Sequence, residues 1–371
     1  MIEFKLPSLG ADMDQGTLLE WRVKPGDKVQ RGQVVAVVDT AKAAVDVECW
    51  QDGEVFQLLV EPGSKVPVGT VIATLLEAGE SPETARRRPE APPVAAAPLP
   101  AASRPKVSPA ARRRAGELGI DPETLSGSGP HGVVSLEDVE RAAAATAPVD
   151  RAAAMRQAIA ALMSRSKREI PHYYLSETIP LGAALAWLQM HNAGLPPEER
   201  LLPTVMLLKA VALALREHPE LNGHWREGAF KPVTGIHLGV AIALRQGGLV
   251  APTLQDVADK PLAQLMTELA DLVVRARNSS LRSSELGEAG LTVTQLGEQG
   301  ADSVFGVVYP PQVSLVGFGR IADRPWVEDG NLCVMPTVIS SLAADHRASD
   351  GHTGARFLAE IKRLLQAPER L

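Results

Sequence analysis

A fourteen-residue segment occurs twice near the start of the chain, and this repeat constrains the fold more than any other feature. Residues 23–36 recur 37 positions later as residues 60–73, with eight of the 14 aligned positions identical. Each copy has β-branched residues around a Pro-Gly turn, which is typical of short strands joined by tight turns. We therefore predict a small all-β domain with internal pseudo-twofold symmetry, in which residues 37–48 form a hairpin that presents Lys42 at its tip.

The composition changes from Ser81 onward and predicts a linker followed by a helical module. Six of residues 91–105 are Ala and five are Pro, a composition that forms an extended spacer rather than a packed core. Ser108-Pro109 and Ser135 then provide the start signals of two helices, with a Gly-rich loop at 127–132 between them. A second short Ala-rich link, from Ala142 to Pro148, follows this predicted two-helix module.

The last 220 or so residues predict a mixed α/β domain that is long enough to bury a sizeable core. Helical patterns and apolar runs of strand length alternate along this part of the chain. The predicted helices are 203–217, 263–277 and 351–365, and the predicted strands are 236–244, 290–296, 312–318 and 338–342.

Charge and cysteine usage exclude several classes of protein. The chain has 38 basic and 44 acidic residues, a net charge of −6, which argues against a general nucleic-acid binder. Cys49 and Cys333 are far apart, so neither a disulfide framework nor a cysteine zinc site is predicted, and the histidines share no metal-ligand spacing. The N-terminus has no secretory pattern, and the best apolar run, 204–215, is too short for a bilayer. We expect a cytoplasmic protein with no membrane segment.

The duplicated domain resembles a lipoyl domain, and Lys42 falls where that family carries its lipoyl-lysine. An isolated lysine at a hairpin tip is usually just solvated, but Lys42 lies at the symmetry centre between Ala41 and Ala43. The related biotin carriers have methionines at those two positions, so Ala41 and Ala43 argue against a biotin carrier. The lipoyl family usually has Asp where this chain has Ala41. The resemblance implies lipoate attached covalently to Lys42.

The two-helix module resembles the peripheral subunit-binding domain of 2-oxo acid dehydrogenase complexes, from residue 107 through the motif at 127–132 to Leu136. In that family arginines bind dihydrolipoyl dehydrogenase or the thiamine-dependent decarboxylase, and Arg112 and Arg113 retain part of the basic patch. Gly116 and Val133 stand where arginines are usual. A depleted patch implies slower and weaker association.

The α/β domain resembles the acyltransferase component of the same complexes, whose fold is that of chloramphenicol acetyltransferase. His346, Asp350 and Gly351 match its His-x-x-x-Asp-Gly signature, and further similarity extends over nearly all of 151–371. The resemblance implies that His346 is the general base toward coenzyme A and that Asp350 fixes the histidine loop through an ion pair. It further implies that Thr294 stabilises the oxyanion, with Thr292 as the alternative on the same strand face.

These resemblances together predict a multidomain dihydrolipoyl acyltransferase: a lipoyl domain (1–77), a linker (78–105), a peripheral subunit-binding domain (106–143), a short linker (144–150) and a catalytic domain (151–371). They imply a thiamine-dependent 2-oxo acid decarboxylase and dihydrolipoyl dehydrogenase as partners, and a homotrimer that builds a larger core. Acetyl is the favoured acyl group, and branched-chain or acetoin types remain open. A non-catalytic scaffold subunit and a free-standing small-molecule acetyltransferase are the alternatives from other classes.

Overall fold

A computed structural model describes residues 1–7, 15–40, 44–76, 107–119, 121–125, 127–129, 132–146, 151–244, 248–287, 289–297 and 300–371. Lys42 with its two flanking alanines, the predicted linker 78–105 and His131 lie outside the described residues. Two compact units make up the chain, one from residues 1–80 together with 152–371 and the other from residues 81–151.

The N-terminal domain is a β-sandwich of two antiparallel sheets. Its strands are β1 (Ile2–Lys5), β2 (Gln15–Trp21), β3 (Lys28–Val29), β4 (Gln33–Asp39), β5 (Ala44–Cys49), β6 (Gly53–Leu58), β7 (Lys65–Pro67) and β8 (Val71–Leu76). One sheet has the order β1-β8-β6-β3, and the other has the order β7-β2-β4-β5. The core between them contains mainly valine and leucine, including Leu18, Val38, Val47 and Leu75.

The sequence repeat is reproduced in the backbone of the sandwich. Gly26 and Gly63 occupy equivalent positions in the two copies, and both adopt positive φ, 94° and 89°, which glycine tolerates without steric cost. The amide of Gly26 donates to the carbonyl of Val55, and the amide of Gly63 donates to that of Leu18. Because Leu18 and Val55 are also 37 residues apart, each turn binds the other half of the domain, as pseudo-twofold symmetry requires.

The second unit contains two helices, α1 (Pro109–Leu118) and α2 (Leu136–Thr146), and a 3-10 turn (Pro122–Thr124). Ser108 caps α1 by accepting from Ala111 N, with Pro109 in the first turn, as predicted. At the start of α2 the Ser135 hydroxyl accepts from Asp138 N while the Asp138 carboxylate accepts from Ser135 N. This reciprocal pair is the predicted capping box.

The α/β domain contains five helices and twelve strands within its described residues. The helices are α3 (Arg151–Glu169), α4 (Gly182–Asn192), α5 (Pro203–Glu217), α6 (Leu262–Arg277) and α7 (Gly351–Leu365). The strands are β9 (His172–Pro180), β10 (Gly223–Arg226), β11 (Ala229–Pro232), β12 (Leu238–Val240), β13 (Ile242–Ala243), β14 (Leu249–Val250), β15 (Thr253–Leu254), β16 (Leu281–Arg282), β17 (Leu291–Gln295), β18 (Ser314–Phe318), β19 (Ala322–Glu328) and β20 (Asn331–Asp345).

A mixed seven-stranded sheet is the centre of this domain. Its order is β15-β12-β17-β18-β20-β19, and β9 pairs with β20 along residues 337–345. The long β20 pairs first with β19 and then with β18, so it connects the β19–β20 hairpin to the central sheet. Helices α5 and α7 supply core residues such as Leu208, Leu215 and Phe357. Strand β17 ends beside the C-terminal end of β18, and β20 ends beside its N-terminal end, so β17 and β20 terminate at opposite ends of the sheet.

Most predicted elements of the α/β domain are confirmed; one segment of this domain and one of the helical module differ from the prediction. The predicted strand 236–244 is divided into β12 and β13 at Ala241, whose amide donates to the carbonyl of Val293. Helix α2 continues to Thr146, into the predicted short linker, because alanine is the strongest helix former. In the described part of the chain no helix is both long and apolar enough to cross a membrane.

Candidate active site

The loop between β20 and α7 carries His346, and the backbone is anchored where the strand passes into this loop. The amide of Asp345 donates to the carbonyl of Val313 at 2.8 Å, and the amide of His346 donates to that of Pro171 at 3.0 Å. The His346 side chain is exposed on this chain. Its ring meets the Tyr173 ring edge to face, with centroids 5.2 Å apart. The imidazole is therefore oriented by packing and remains open to a reactant or a neighbouring chain.

Tyr173 also fixes the far side of the same loop. Its hydroxyl lies 2.8 Å from the Ser349 hydroxyl, three residues beyond the histidine. Burial raises the pKa of Tyr173, with a smaller opposing effect from the Ser349 hydrogen bond. The phenol thus stays neutral at physiological pH and holds the loop through a hydrogen bond.

Asp345 and Arg347, the two residues that flank His346, form an ion pair that the sequence analysis did not predict. Asp345 is fully buried, and Arg347 donates to it from Nε to Oδ1 at 2.9 Å and from Nη2 to Oδ2 at 2.6 Å. The guanidinium also lies over the Trp225 ring, 4.6 Å from its centroid. Opposite charges flanking a histidine were the available signal in the sequence. The pair holds the backbone on both sides of the imidazole in one conformation.

Asp350 caps a helix in this structure, where the sequence led us to expect an ion pair. Its carboxylate accepts from the amide of Thr353 at 2.9 Å, at the start of α7. The pKa of Asp350 is lowered, chiefly because of this backbone hydrogen bond. Among the described residues, the ion pair that fixes the histidine loop is the one between Asp345 and Arg347. Asp350 stabilises the loop from its helical end.

The two candidate threonines on β17 have different surroundings. Thr292 is fully buried, and its hydroxyl donates to Gln312 Oε1 at 2.7 Å. Thr294 is only partly buried, toward the end of the strand, where it pairs with Gly317 of β18. A hydroxyl must be accessible to stabilise a developing oxyanion. The structure therefore favours Thr294 over Thr292 as the donor.

The structure does not bring His346 and Thr294 together within one chain. Gly317 of β18 pairs with Thr294 on one side and with Ser341 of β20 on the other. His346 follows Ser341 by five residues and lies beyond the opposite end of the sheet. At about 3.3 Å per residue, the two candidate side chains are on the order of 15 Å apart along the strands. One substrate atom cannot contact both in the same chain.

His172 is held in the same region by two hydrogen bonds to backbone groups. Its Nδ1 is 2.9 Å from the Ile170 carbonyl, and its Nε2 accepts from the Val308 amide at 3.2 Å. These contacts place the proton on Nδ1. Burial lowers the pKa of His172, which keeps the ring neutral. In the described part of the chain no group of three or more His, Cys, Asp or Glu residues is arranged to hold a metal ion.

The surface of the helical module has less free positive charge than its sequence indicates. Arg112 and Arg113 are exposed on α1. Arg114 is paired, at 2.8 Å to Glu117 and 3.9 Å to Glu140. A side chain at Gly116 would meet open space, so the backbone there does not require glycine.

Comparison with known proteins places each region in a described family. Residues 146–371 match the family of 2-oxoacid dehydrogenase acyltransferase catalytic domains, residues 2–75 match the family of biotin-requiring enzymes that includes lipoyl domains, and residues 105–140 match the E3-binding domain. These matches confirm the predicted sequence of a lipoyl domain, a binding module and an acyltransferase domain along the chain.

Relatives and solved structures agree with these matches. The chain is 32% identical to the dihydrolipoyllysine-residue acetyltransferase component of the pyruvate dehydrogenase complex of Rhizobium meliloti, covering 99% of this chain and 98% of that one. The corresponding protein of Staphylococcus aureus is 29% identical, with 100% and 98% covered. A probable dihydrolipoamide acetyltransferase from Listeria monocytogenes superposes with a TM-score of 0.54 at 28% identity, covering 57% of this chain and 92% of that one. The dihydrolipoamide acetyltransferase of Azotobacter vinelandii gives 0.53 at 29% identity, with 57% and 87% covered.

Proposed function

Because this chain belongs to the 2-oxoacid dehydrogenase acyltransferase family, we propose that it transfers an acetyl group from lipoyl-lysine to coenzyme A in a pyruvate dehydrogenase-type complex. The observation that carries this proposal is the full-length match, which gives every domain of the acetyltransferase relatives a counterpart here. The E3-binding module provides for a dihydrolipoyl dehydrogenase partner, and a thiamine-dependent decarboxylase is the proposed acyl donor. The proposed compartment is the cytoplasm.

Lys42 is the proposed site of lipoate attachment. The described strands suit this role, because β4 and β5 pair Asp39 with Ala44 and Lys42 falls in the sequence between them. The equivalent turns at Gly26 and Gly63 support the duplicated β domain that the lipoyl resemblance implies. When bound, the lipoyl group supplies the thiol that carries the acyl group.

His346 is the proposed general base. Its exposed imidazole accepts the proton of the coenzyme A thiol, which leaves a thiolate to attack the acyl carbonyl, and it later returns the proton to the departing thiol. The Asp345–Arg347 pair and Tyr173 position the ring. Asp350 is a positioning residue through its cap on α7.

Thr294 is the proposed hydrogen-bond donor to the oxyanion. The Azotobacter vinelandii enzyme was investigated for the role of a serine, a histidine and an asparagine in its catalytic mechanism. The spacings of those three residues, 52 and then four positions, equal those from Thr294 to His346 and from His346 to Asp350. The spacing supports assigning the same three positions to the site.

A site shared between chains follows from the separation of these residues. Since His346 and Thr294 lie on the order of 15 Å apart along the strands of one chain, we propose that His346 of one chain faces Thr294 of a neighbour in a homotrimer. Such trimers would build a larger core, as in the cubic core of a pyruvate dehydrogenase complex that resembles this domain at a TM-score of 0.53.

Mixing two inactive variants tests both the residues and the sharing. His346→Ala and Thr294→Ala chains are each assayed for acetyl transfer from acetyl-coenzyme A to dihydrolipoamide, then dissociated, mixed and reassembled. Mixed assemblies should regain activity because some interfaces contain both intact residues. His346→Ala mixed with Asp350→Ala is not a valid substitute, since both changes affect the same loop. Mixed assemblies that form normally but stay inactive would contradict the shared site.

A further inference from the structure

The lipoyl sandwich contacts the catalytic domain through the edge of one sheet. Strand β16 of the catalytic domain lies parallel to β5, with Leu281 beside Val45 and Arg282 beside Asp46. Apart from this pairing β5 is an edge strand, and edge strands have unpaired backbone groups that bind an added strand. We propose that residues 281–286 of the catalytic domain are a docking segment for the lipoyl domain of this protein.

Glu48 is the residue of the lipoyl domain that forms side-chain and backbone hydrogen bonds with the docking segment. Side chains alternate along β5, so Val45, Val47 and Cys49 enter the core and Glu48 points outward. Glu48 is nevertheless only 5% exposed, because the docking segment covers it. A buried carboxylate is costly unless it is hydrogen-bonded, and the partners of Glu48 come from the other domain.

Those partners are two consecutive serines of the docking segment. Glu48 Oε2 accepts from the Ser284 amide at 3.0 Å and from the Ser283 hydroxyl at 3.3 Å. The Glu48 amide in turn donates to the Ser283 hydroxyl at 3.1 Å. The side chain of Glu48 therefore contacts both serines and its backbone amide contacts Ser283, which gives the contact a defined register.

The docking segment is held in shape by its own domain. Glu285 accepts from Arg275 Nε at 3.2 Å and from the Arg282 amide at 2.9 Å. Gln255 Nε2 donates to the Ser284 carbonyl at 2.9 Å. A surface that is fixed in this way loses little conformational entropy when the lipoyl domain binds.

Leu286 joins the two hydrophobic cores at the end of the docking segment. It packs against the core of the catalytic domain and also against that of the lipoyl domain. The contact thus combines strand addition, a buried charge with matched donors and an apolar side chain, which together form a specific interface.

Docking would serve acyl transfer if the roles proposed above for Lys42 and Thr294 are correct. Val45, which pairs with the docking segment, is three residues from Lys42, and β17 with Thr294 begins five residues after Leu286. The segment would hold the acyl-carrying hairpin at the domain that uses it, and would select lipoyl domains with a carboxylate at the position of Glu48.

Hydrogen–deuterium exchange on the assembled full-length chain tests the contact. The amides of Glu48 and of residues 281–286 should exchange slowly, and Glu48→Lys should accelerate both by about tenfold or more, as expected for losing hydrogen bonds to a charged group. Glu61→Lys makes the same charge change at an exposed turn and should leave both unchanged. Fast exchange of both segments in the unmodified sequence would overturn the proposal.

A second variant covers the case in which Glu48→Lys disturbs the sandwich itself. Ser283→Ala changes only the catalytic domain, yet it should accelerate exchange of the Glu48 amide; an unchanged Glu48 amide would contradict docking. The readout needs neither lipoate nor acyl transfer. Inactive chains with protected amides would therefore count against the proposed function and leave docking intact.

Discussion

The guanidinium of Arg347 donates to both carboxylate oxygens of Asp345, with the histidine of the loop between them in the sequence. Asp345 is fully buried and ends β20, whereas Arg347 is partly exposed and rests on Trp225. The buried carboxylate therefore holds the end of β20, and the planar guanidinium holds the start of the loop that follows it. These contacts restrain the backbone on both sides of His346.

Replacing Arg347 by lysine should lower turnover without unfolding the domain. Lysine retains the charge but cannot make the two-pronged contact or lie flat on Trp225. We expect kcat to fall by about tenfold to a hundredfold, because small displacements of a catalytic group have effects of that order. Arg356→Lys, an exposed arginine on α7, is the control and should be silent in the acetyl-transfer assay. Equal kcat for the two variants would contradict this role.

The sequence predicts best those features of the structure that depend on residues close together along the chain. The predicted first and last residues of helices 203–217 and 351–365 are confirmed. Hydrophobic periodicity and helix start signals involve residues that are close together in the sequence, so they can be recognised there. The contact of Arg347 with Trp225 was missed, since Trp225 is more than a hundred residues away. The docking contact was missed for the same reason: Glu48 and Ser283 meet across 235 positions.

The stability of the helical module should fall only in acid. The pKa of Asp138 is lowered by hydrogen bonds from the amides of Ser128 and Ser135. A depressed aspartate pKa contributes stability that is complete above the ordinary value of 3.8 and is lost as the pH falls below it. Exchange of α1 and α2 amides should thus be constant from pH 7 to about 5, after correction for intrinsic rates.

A substitution at the same position separates this carboxylate from general acid effects. Asp138→Ala should expose the α1 and α2 amides already at neutral pH, because two loop amides lose their acceptor. Glu137→Ala, at an exposed position in the same turn, is the matched control. Protection that is equal in both variants would show that Asp138 does not hold the module together.

Adding an arginine at Gly116 should strengthen partner binding. The position faces open space on α1, beside the exposed Arg112 and Arg113. Gly116→Arg should raise the affinity for dihydrolipoyl dehydrogenase at low salt and lose that gain at high salt. Gly116→Ala controls for helix propensity, worth about 0.5–1 kcal/mol. Calorimetry at two salt concentrations measures the difference, and an arginine variant that binds no better than the alanine variant would exclude the electrostatic explanation.

Lys42 should carry one lipoyl group in cells supplied with lipoate. Intact-mass measurement of the full chain should show a single addition that Lys42→Arg removes and that Lys28→Arg, an exposed lysine of β3, does not. Ala41→Asp restores the residue usual in lipoyl domains and should raise the modified fraction if Ala41 limits recognition. An addition that persists in Lys42→Arg would assign the group to another residue.

The two threonines of β17 should respond differently to the loss of the hydroxyl. Thr294→Val keeps the shape of the side chain and should lower kcat by about 10²–10³, the usual cost of losing an oxyanion donor, whereas Thr294→Ser should retain most activity. Thr292→Val leaves Gln312 without its donor and should cost about 1–3 kcal/mol of stability with little change in kcat of the folded enzyme. Thermal unfolding and steady-state kinetics on the three variants separate these effects. A large loss of kcat in Thr292→Val with normal activity in Thr294→Val would reverse the assignment, because it would place the reacting carbonyl against the buried end of the strand.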